Sequence, residues 1–419
     1  MFALSPLFVF MAIYLGMSII ANDFYSVPVT VAFLVASVYA ICITKGTLNK
    51  RIEIFSKGAG SKNMMLMLWI FLLAGAFASS AKSVGAVDST VNFTLSVLPP
   101  SFLLPGIFLA SCFISFSIGT SVGTIAALAP IGIGLAEQTG LDIALMTAAI
   151  VGGSYFGDNL SFISDTTIVA TQTQECKMSD KFKVNIRIVL PAALVVLAIY
   201  FFMGVNLVGG MEPKPFNFIQ VVPYLIVILS ALMGFHVMIV LSLGLFLTGI
   251  IGISQGTFDV FGWFNSMAEG MLGMSELLIM TLLAAGMLAI IRHNGGIDYV
   301  ISKLTRFVSG KKSAEYSIAF LVTLVNVCTA NNTVAIITTG HLAKDIADKY
   351  GVDRRKSASI LDTMSCFAQG LLPYGAQMLM AASMAHVSGI SIIGFLYYNM
   401  AIGLSVVIAI WLRRPRKYS

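Results

Sequence analysis

Gly152-Gly-Ser-Tyr-Phe-Gly-Asp-Asn-Leu-Ser-Phe-Ile-Ser-Asp-Thr-Thr167 decides how this chain is read. It lies inside Ile143–Gln174, an apolar segment that runs from an acidic loop (Glu137, Asp142) to a basic one (Lys177, Lys181, Lys183, Arg187). Glycine and hydroxyl residues propagate a helix poorly, so the stretch reads as a membrane crossing interrupted near its middle. Asp158 and Asp165 stand seven residues apart, which would put them on one face of a regular helix. A break between them would let freed backbone carbonyls join the carboxylates as oxygen ligands. A carboxylate at that depth costs on the order of a few kcal/mol, so it should face a cavity and act there.

Outward from this stretch the chain is dominated by apolar residues. Of 419 residues 58% are hydrophobic, and 25 basic plus 19 acidic side chains are the only formal charges besides histidine. Evenly spread, they would fall about every 9.5 residues. Instead Met1–Asn22, Phe24–Thr44, Ser89–Ala136, Ile188–Met211, Phe216–Phe258, Tyr316–Ala343 and Thr363–Leu412 contain no Asp, Glu, Lys or Arg. About 20 apolar residues cross a bilayer, so several of these windows hold two passes or a pass plus a re-entrant segment. The runs do not alternate as barrel strands would. The chain therefore reads as an all-α polytopic membrane protein, and soluble, secreted and fibrous classes are excluded. Met1–Asn22 lacks the basic start of a signal peptide and reads as the first helix. The five scattered cysteines read as small buried residues rather than disulfides or metal ligands.

The basic residues fall in a few short loops: Lys45–Lys62, Lys177–Arg187, Arg292–Lys312 (with Lys303 and Arg306), Lys344–Lys356 and the tail Arg413–Lys417. The alternate loops carry Asp23, Asp88, Glu137, Asp142, Glu212, Asp259 and Glu269. The positive-inside rule places the basic set and both termini in the cytoplasm, with about ten crossings and two re-entrant hairpins. The +6 net charge is thereby explained without a nucleic acid. Lys45–Lys62 reads as an amphipathic surface helix whose repeat partner is Phe258–Met271.

An internal repeat appears at an offset of about 210 residues. Leu72–Phe77 with Gly85 and Asp88 resembles Leu282–Met287 with Gly295 and Asp298. Thr120–Thr124 matches Thr329–Thr333, and Phe156–Thr167 lies opposite Phe367–Met378. The charge map gives the halves opposite orientation, which is the inverted-repeat architecture of secondary transporters. The repeats are 1–210, with scaffold helices in 1–98 and a hairpin and broken helix in 101–186, and 211–419, with scaffold helices in 216–308 and a hairpin and broken helix in 313–388.

The chemistry is expected where the breaks meet. Asp158 and Asp165 are the cation ligands, joined by Asn159, Ser161, Ser164 and Thr166. The first hairpin tip contributes Thr120, Ser121 and Thr124, and the second Asn331, Asn332 and Thr333. The break Gln369–Gln377, with Pro373 and two glycines, brings Gln369 and Gln377, amides where the first half has acids. Hard oxygen donors without thiolates or imidazoles suit sodium rather than a transition metal. Burial and a like-charged neighbour both disfavour an ionised carboxylate. A sodium ion favours it, so proton and sodium would compete for one site. Both aspartates could alternatively cap half-helices. Asp362 and Glu276 read as pairing groups near span ends, and the four histidines as packing or interface residues.

Gly153–Thr167 resembles the NhaC sodium/proton antiporter family, part of the ion transporter superfamily, whose signature is Phe-Gly-Asp-x-Leu-Ser-Pro-x-Ser-Asp-Thr-Thr. Phe156, Gly157, Asp158, Leu160, Ser161, Ser164, Asp165, Thr166 and Thr167 match it. The likeness extends through Gly119–Thr124, Asn331–Thr333 and Leu372–Gly375. It implies a homodimer, each subunit with a scaffold and a transport domain, and sodium-coupled exchange with ligands near Asp158 and Asp165. Phe162 stands where the signature has proline, which could alter the break. The expected function is sodium/proton exchange across the cytoplasmic membrane, with sodium as cargo or coupling ion, no cofactor and no enzymatic activity. A sodium- or proton-coupled carrier of a small carboxylate or amino acid is the alternative. An intramembrane aspartyl protease would need its two acids on different helices.

Overall fold

The computed structural model describes residues 2–21, 29–162, 164–205, 214–296, 299, 310–415 and 418. Asp23, Glu212, Asp298, Lys303, Arg306 and Lys417, used in the charge map and the repeat, lie outside the described residues. All regular structure among the described residues is helical. Four of these helices have both the length and the hydropathy of a bilayer crossing: Met64–Ser83, Met178–Gly204, Val237–Ser254 and Ser275–His293.

The first part of the chain forms α1 (Ser5–Ala21), α2 (Val29–Ile43), α3 (Leu48–Ala59), α4 (Lys62–Ser83) and α5 (Ala86–Val97). Thr47 caps α3 by accepting from the Lys50 amide. The expected amphipathic helix thus exists, laid along α14 (Ser275–His293), with its charged face outward. Beyond the middle of the chain come α11 (Phe218–Leu232), α12 (Val237–Ser254) and α13 (Val260–Gly273). α4 and α13 meet backbone to backbone: a Cβ on Gly75 would lie 2.4 Å from the Gly270 carbonyl oxygen, and one on Gly270 2.1 Å from that of Gly75. Small residues allow such contact where lipid supplies no hydrophobic drive between helices. Ser80 and Thr248, 2.7 Å apart, join α4 to α12.

Two helical hairpins, each followed by a broken helix, make up the rest. The first hairpin is α6 (Leu103–Ile118) and α7 (Ser121–Thr139), followed by α8 (Ile143–Leu160), α9 (Asp165–Thr173) and α10 (Met178–Val205). The second is α15 (Lys311–Thr329) and α16 (Asn332–Tyr350), followed by α17 (Arg354–Gly370), α18 (Ala376–Ala385), α19 (Gly389–Ile393) and α20 (Tyr397–Trp411). Several local devices recur 211 residues apart in the sequence. Gly119 (φ 75°) and Ala330 (φ 48°) turn the two tips in the left-handed region. Asp142 caps α8 and Asp353 caps α17. Ser115 Oγ donates to the Ser154 carbonyl, and Asn326 Nδ2 donates to that of Ser365. Each hairpin is thus fastened to the broken helix of its own half.

The charge map needs two corrections. Lys181 and Lys356, read as loop residues, are buried, and each pairs with a buried carboxylate: Lys181 with Asp362, and Lys356 with Glu315 at 2.9 Å. Proximity in sequence to other basic residues placed them in loops, although each lies within a turn or two of its helix start and faces inward. The remaining ion pairs are at the surface. Glu175, in the turn after α9, accepts from Lys344 Nζ at 2.5 Å and Arg354 Nη1 at 2.7 Å, and Arg354 also holds Asp348. The Lys344 ammonium, with Arg354, keeps the Glu175 carboxyl below the usual carboxylate range. All five cysteines are free.

Candidate functional site

The break after α8 is made without proline. Ser161 (φ −67°, ψ 138°) and Ser164 (φ −69°, ψ 134°) are extended, and α9 restarts at Asp165. Phe162 leaves the helix and stacks on Phe182 of α10, ring centroids 5.1 Å apart. The missing signature proline therefore does not restore the helix. Gly157, one residue before Asp158, lets α8 lie against α6: a Cβ there would fall 2.1 Å from Ser115 Oγ.

Asp158 is 4% exposed. Its carboxylate accepts from the Ser121 amide at 3.2 Å and from Ser121 Oγ at 2.7 Å. Ser121 is the first residue of α7, so the carboxylate lies at a helix N-terminus, where unpaired amides and the helix dipole favour negative charge. The capping expectation is met in altered form, since Asp158 caps the hairpin arm α7 rather than its own half-helix. Among the described residues no lysine, arginine or histidine pairs with it.

Two of the carbonyls freed by the break are already engaged. The Asp158 carbonyl accepts from Thr166 Oγ1 (2.9 Å) and Thr167 Oγ1 (3.2 Å). The Asn159 carbonyl accepts from Lys181 Nζ (2.6 Å) and Asn185 Nδ2 (2.6 Å). A carbonyl oxygen has two lone pairs, and both are used in each case. Side-chain oxygens are therefore the ones this break leaves facing the cavity. The Lys181 ammonium also bonds Thr167 Oγ1 at 2.8 Å and the Asp362 carboxylate. Asn185 receives Ser359 Oγ and Thr363 Oγ1. Asp362 is thus an interhelical pairing group, as its sequence position suggested. Lys181 and Asn185 escaped the sequence reading. The detectable signal was a polar stripe at helical spacing on α17, Ser359, Asp362 and Thr363, in a helix that also buries Ser357, Ser365 and Gln369.

A cavity of about 80 Å³ collects most of the expected site. Asp158, Ser164, Asp165 and Thr166 line it from the first break, Thr120 and Ser121 from the first tip. Asn331, Asn332, Thr333 and Gln377 line it from the second half. Asp165 departs from expectation: it is exposed at the start of α9 rather than buried beside Asp158. Both aspartates line the cavity, but the extended linker leaves Asp165 exposed where Asp158 is buried. Four residues lie off the cavity wall. Thr124 donates back to the Thr120 carbonyl, and Asn159 Nδ2 to that of Tyr155. Ser161 is buried as the last cap of α8. Gln369 reaches the site indirectly, donating to Gln377 Oε1 and to the Ala330 carbonyl at 3.0 Å each. Gln377 Nε2 in turn donates to Ser121 Oγ at 3.0 Å, joining the halves beside Asp158. A neighbouring cavity of about 220 Å³ shares Met67 and Asn331 and extends past Met64 and Thr281 to Ser61 and Arg292.

Paired hairpins and broken helices converging on a buried carboxylate define a multi-pass secondary transporter of cations. The chain belongs to the Na+/H+ antiporter family, whose pattern matches residues 1–205 and 216–413. It is 23% identical over 438 residues to the Na(+)/H(+) antiporter NhaC of Alkalihalophilus pseudofirmus, covering 96% of this chain and 93% of that one. It is 22% identical over 382 residues to a malate-2H(+)/Na(+)-lactate antiporter of Bacillus subtilis, covering 83% and 81%. Among solved structures, the YdaH transporter of Alcanivorax borkumensis aligns with a TM-score of 0.44 at 12% identity over 86% of each chain.

Proposed function

We propose that sodium and protons compete for the Asp158 carboxylate in the cavity between the two breaks. The protein is a sodium/proton antiporter, and this competition is its exchange step. One observation carries the assignment of the site: a buried carboxylate, fixed by two donors of Ser121, faces a small cavity of mixed polar and apolar lining without a basic partner among the described residues. An uncompensated charge at such depth is unfavourable, so it takes either a proton or a cation. Sodium would be held by Asp158 with the Ser121, Ser164 and Thr166 oxygens and the second-half amides. Asp165, at the exposed rim, would receive the ion first.

The larger cavity runs from this site toward Arg292 and Ser61, which the charge map places at the cytoplasmic side, and supports reading the structure as open to the cytoplasm. The recurrence of tips, caps and clasps at 211 residues supports two inverted repeats. Their hairpins and broken helices would form a transport domain moving against a scaffold that includes α4 and α13. We further infer a homodimer in the cytoplasmic membrane with both termini inside.

In proteoliposomes, Asp158→Asn should abolish sodium-driven proton flux. Asp165→Asn should raise the sodium KM, its carboxylate lying at the entry. Full activity in both variants would remove these acids from the mechanism. The adjoining cavity with Arg292, and the lactate-exchanging relative, favour one second reading, a carrier of small organic anions. Sodium flux that depends on an added carboxylate would establish it.

A further inference from the structure

The Lys181 ammonium has three protons and three oxygen acceptors: the Asn159 carbonyl, Thr167 Oγ1 and the Asp362 carboxylate. Lys181 is 1% exposed and Asp362 is fully buried. One carbonyl, one hydroxyl and one carboxylate are the ligand types a hard alkali cation takes. They sit at the same break as Asp158, joined to it through Thr167, which also donates to the Asp158 carbonyl. The pair is unlike Lys356–Glu315, which joins two helices with no break beside it.

We propose that Lys181 is a tethered cation that fills a second alkali-ion pocket, so that each chain carries sodium at the Asp158 site alone. The argument is one of charge and geometry. The end of α8 presents carbonyls that need donors or cations, and Asp362 adds a buried negative charge to them. A mobile ion there would be a second sodium. A lysine rooted in the first turns of α10 satisfies the same oxygens with a charge that cannot leave the protein. The inference shares the sodium chemistry of the proposed function but concerns a different set of oxygens.

The test counts sodium ions bound per chain in detergent-solubilised protein, titrating sodium chloride against choline chloride at constant ionic strength. Lys181→Ala removes the ammonium and leaves an opening for an ion. Bound sodium should double, from one to two per chain. Lys181→Ala/Asp362→Asn, which removes both charges, should return it to one. Lys181→Arg, which keeps a tethered charge, should stay at one. In an Asp158→Asn background the wild-type lysine should give no sodium binding and Lys181→Ala should give one ion. That arm separates the two readings: sodium bound by Asp158→Asn alone would count against the Asp158 site, whereas the gain on removing Lys181 reads the second pocket by itself. A folded Lys181→Ala protein with unchanged stoichiometry overturns the proposal. So does a Lys181→Ala protein that folds in neither sodium nor choline while the doubly neutral variant folds, because sodium then fails to replace the ammonium.

Discussion

Ser121→Ala isolates the hydroxyl that holds Asp158. In the structure Ser121 Oγ lies 2.7 Å from Asp158 Oδ2, and the amide of the same residue lies 3.2 Å from Oδ1. Alanine removes the shorter, stronger contact and keeps the longer one. A hydrogen bond to a charged group is worth about 1.5–3 kcal/mol. This one favours the ionised carboxylate, which is the form that binds sodium, so its loss shifts the competition toward the proton. With tenfold per about 1.4 kcal/mol, the sodium KM should rise roughly ten- to hundredfold. The variant also strips Gln377 Nε2 of its acceptor. Ser121→Thr keeps a hydroxyl and should recover most of the affinity. The assay is sodium-driven proton release from proteoliposomes, read with an internal pH dye over a sodium series, so that KM and maximal rate separate. A sodium KM for Ser121→Ala within twofold of wild type would refute the reasoning.

Two further predictions concern packing and the surface. Gly157→Ala should lower the thermal midpoint and abolish transport, because its Cβ would fall 2.2 Å from the Ser115 carbonyl carbon and push α8 off α6; overpacking of this kind costs about 1–3 kcal/mol. Gly106→Ala, whose Cβ would meet Leu98 Cδ1 at 3.7 Å, should be silent in both measurements and serves as the control. Glu175→Gln should lower the midpoint at neutral pH and low ionic strength. The folded-state carboxyl is held low by Lys344, so its contribution is present above the ordinary carboxylate range and is lost as pH falls through the lowered folded value. The difference between variant and wild type should therefore vanish in acid, and also in high salt because the group is exposed.

The hairpins were legible because their tips, Gly119–Thr124 and Thr329–Thr333, interrupt long apolar runs with small polar residues. Asp158 was legible for the related reason that an acid in a charge-poor crossing needs a purpose. What escaped depended on geometry at the break. Helical spacing did not distinguish the two aspartates, whereas the extended Ser161–Ser164 linker leaves Asp165 exposed and Asp158 buried on one cavity. Freed carbonyls were assigned to the cation, yet threonines in the first turn of α9 and a lysine from α10 engage two of them. Lys181 and Lys356 were counted with their basic neighbours, since a pattern of charge along a chain does not reveal which member faces a buried partner. Nor did the sequence show how the break forms without the signature proline: two serines are extended and Phe162 stacks on Phe182.

The string of contacts from Ala330 through Gln369, Gln377 and Ser121 to Asp158 has a direction. Ser121 has one hydroxyl proton, and it is committed to the carboxylate. Gln377 must then turn its NH2 toward Ser121 and its carbonyl toward Gln369, which fixes the orientation of that amide as well. A proton on the Asp158 carboxyl would let it donate to Ser121 Oγ instead of accepting from it, and the relay would then lose the reason for this orientation. Neutral amides alone would then carry the change from Asp158 to the tip of the far hairpin at Ala330, with no charge crossing between the halves.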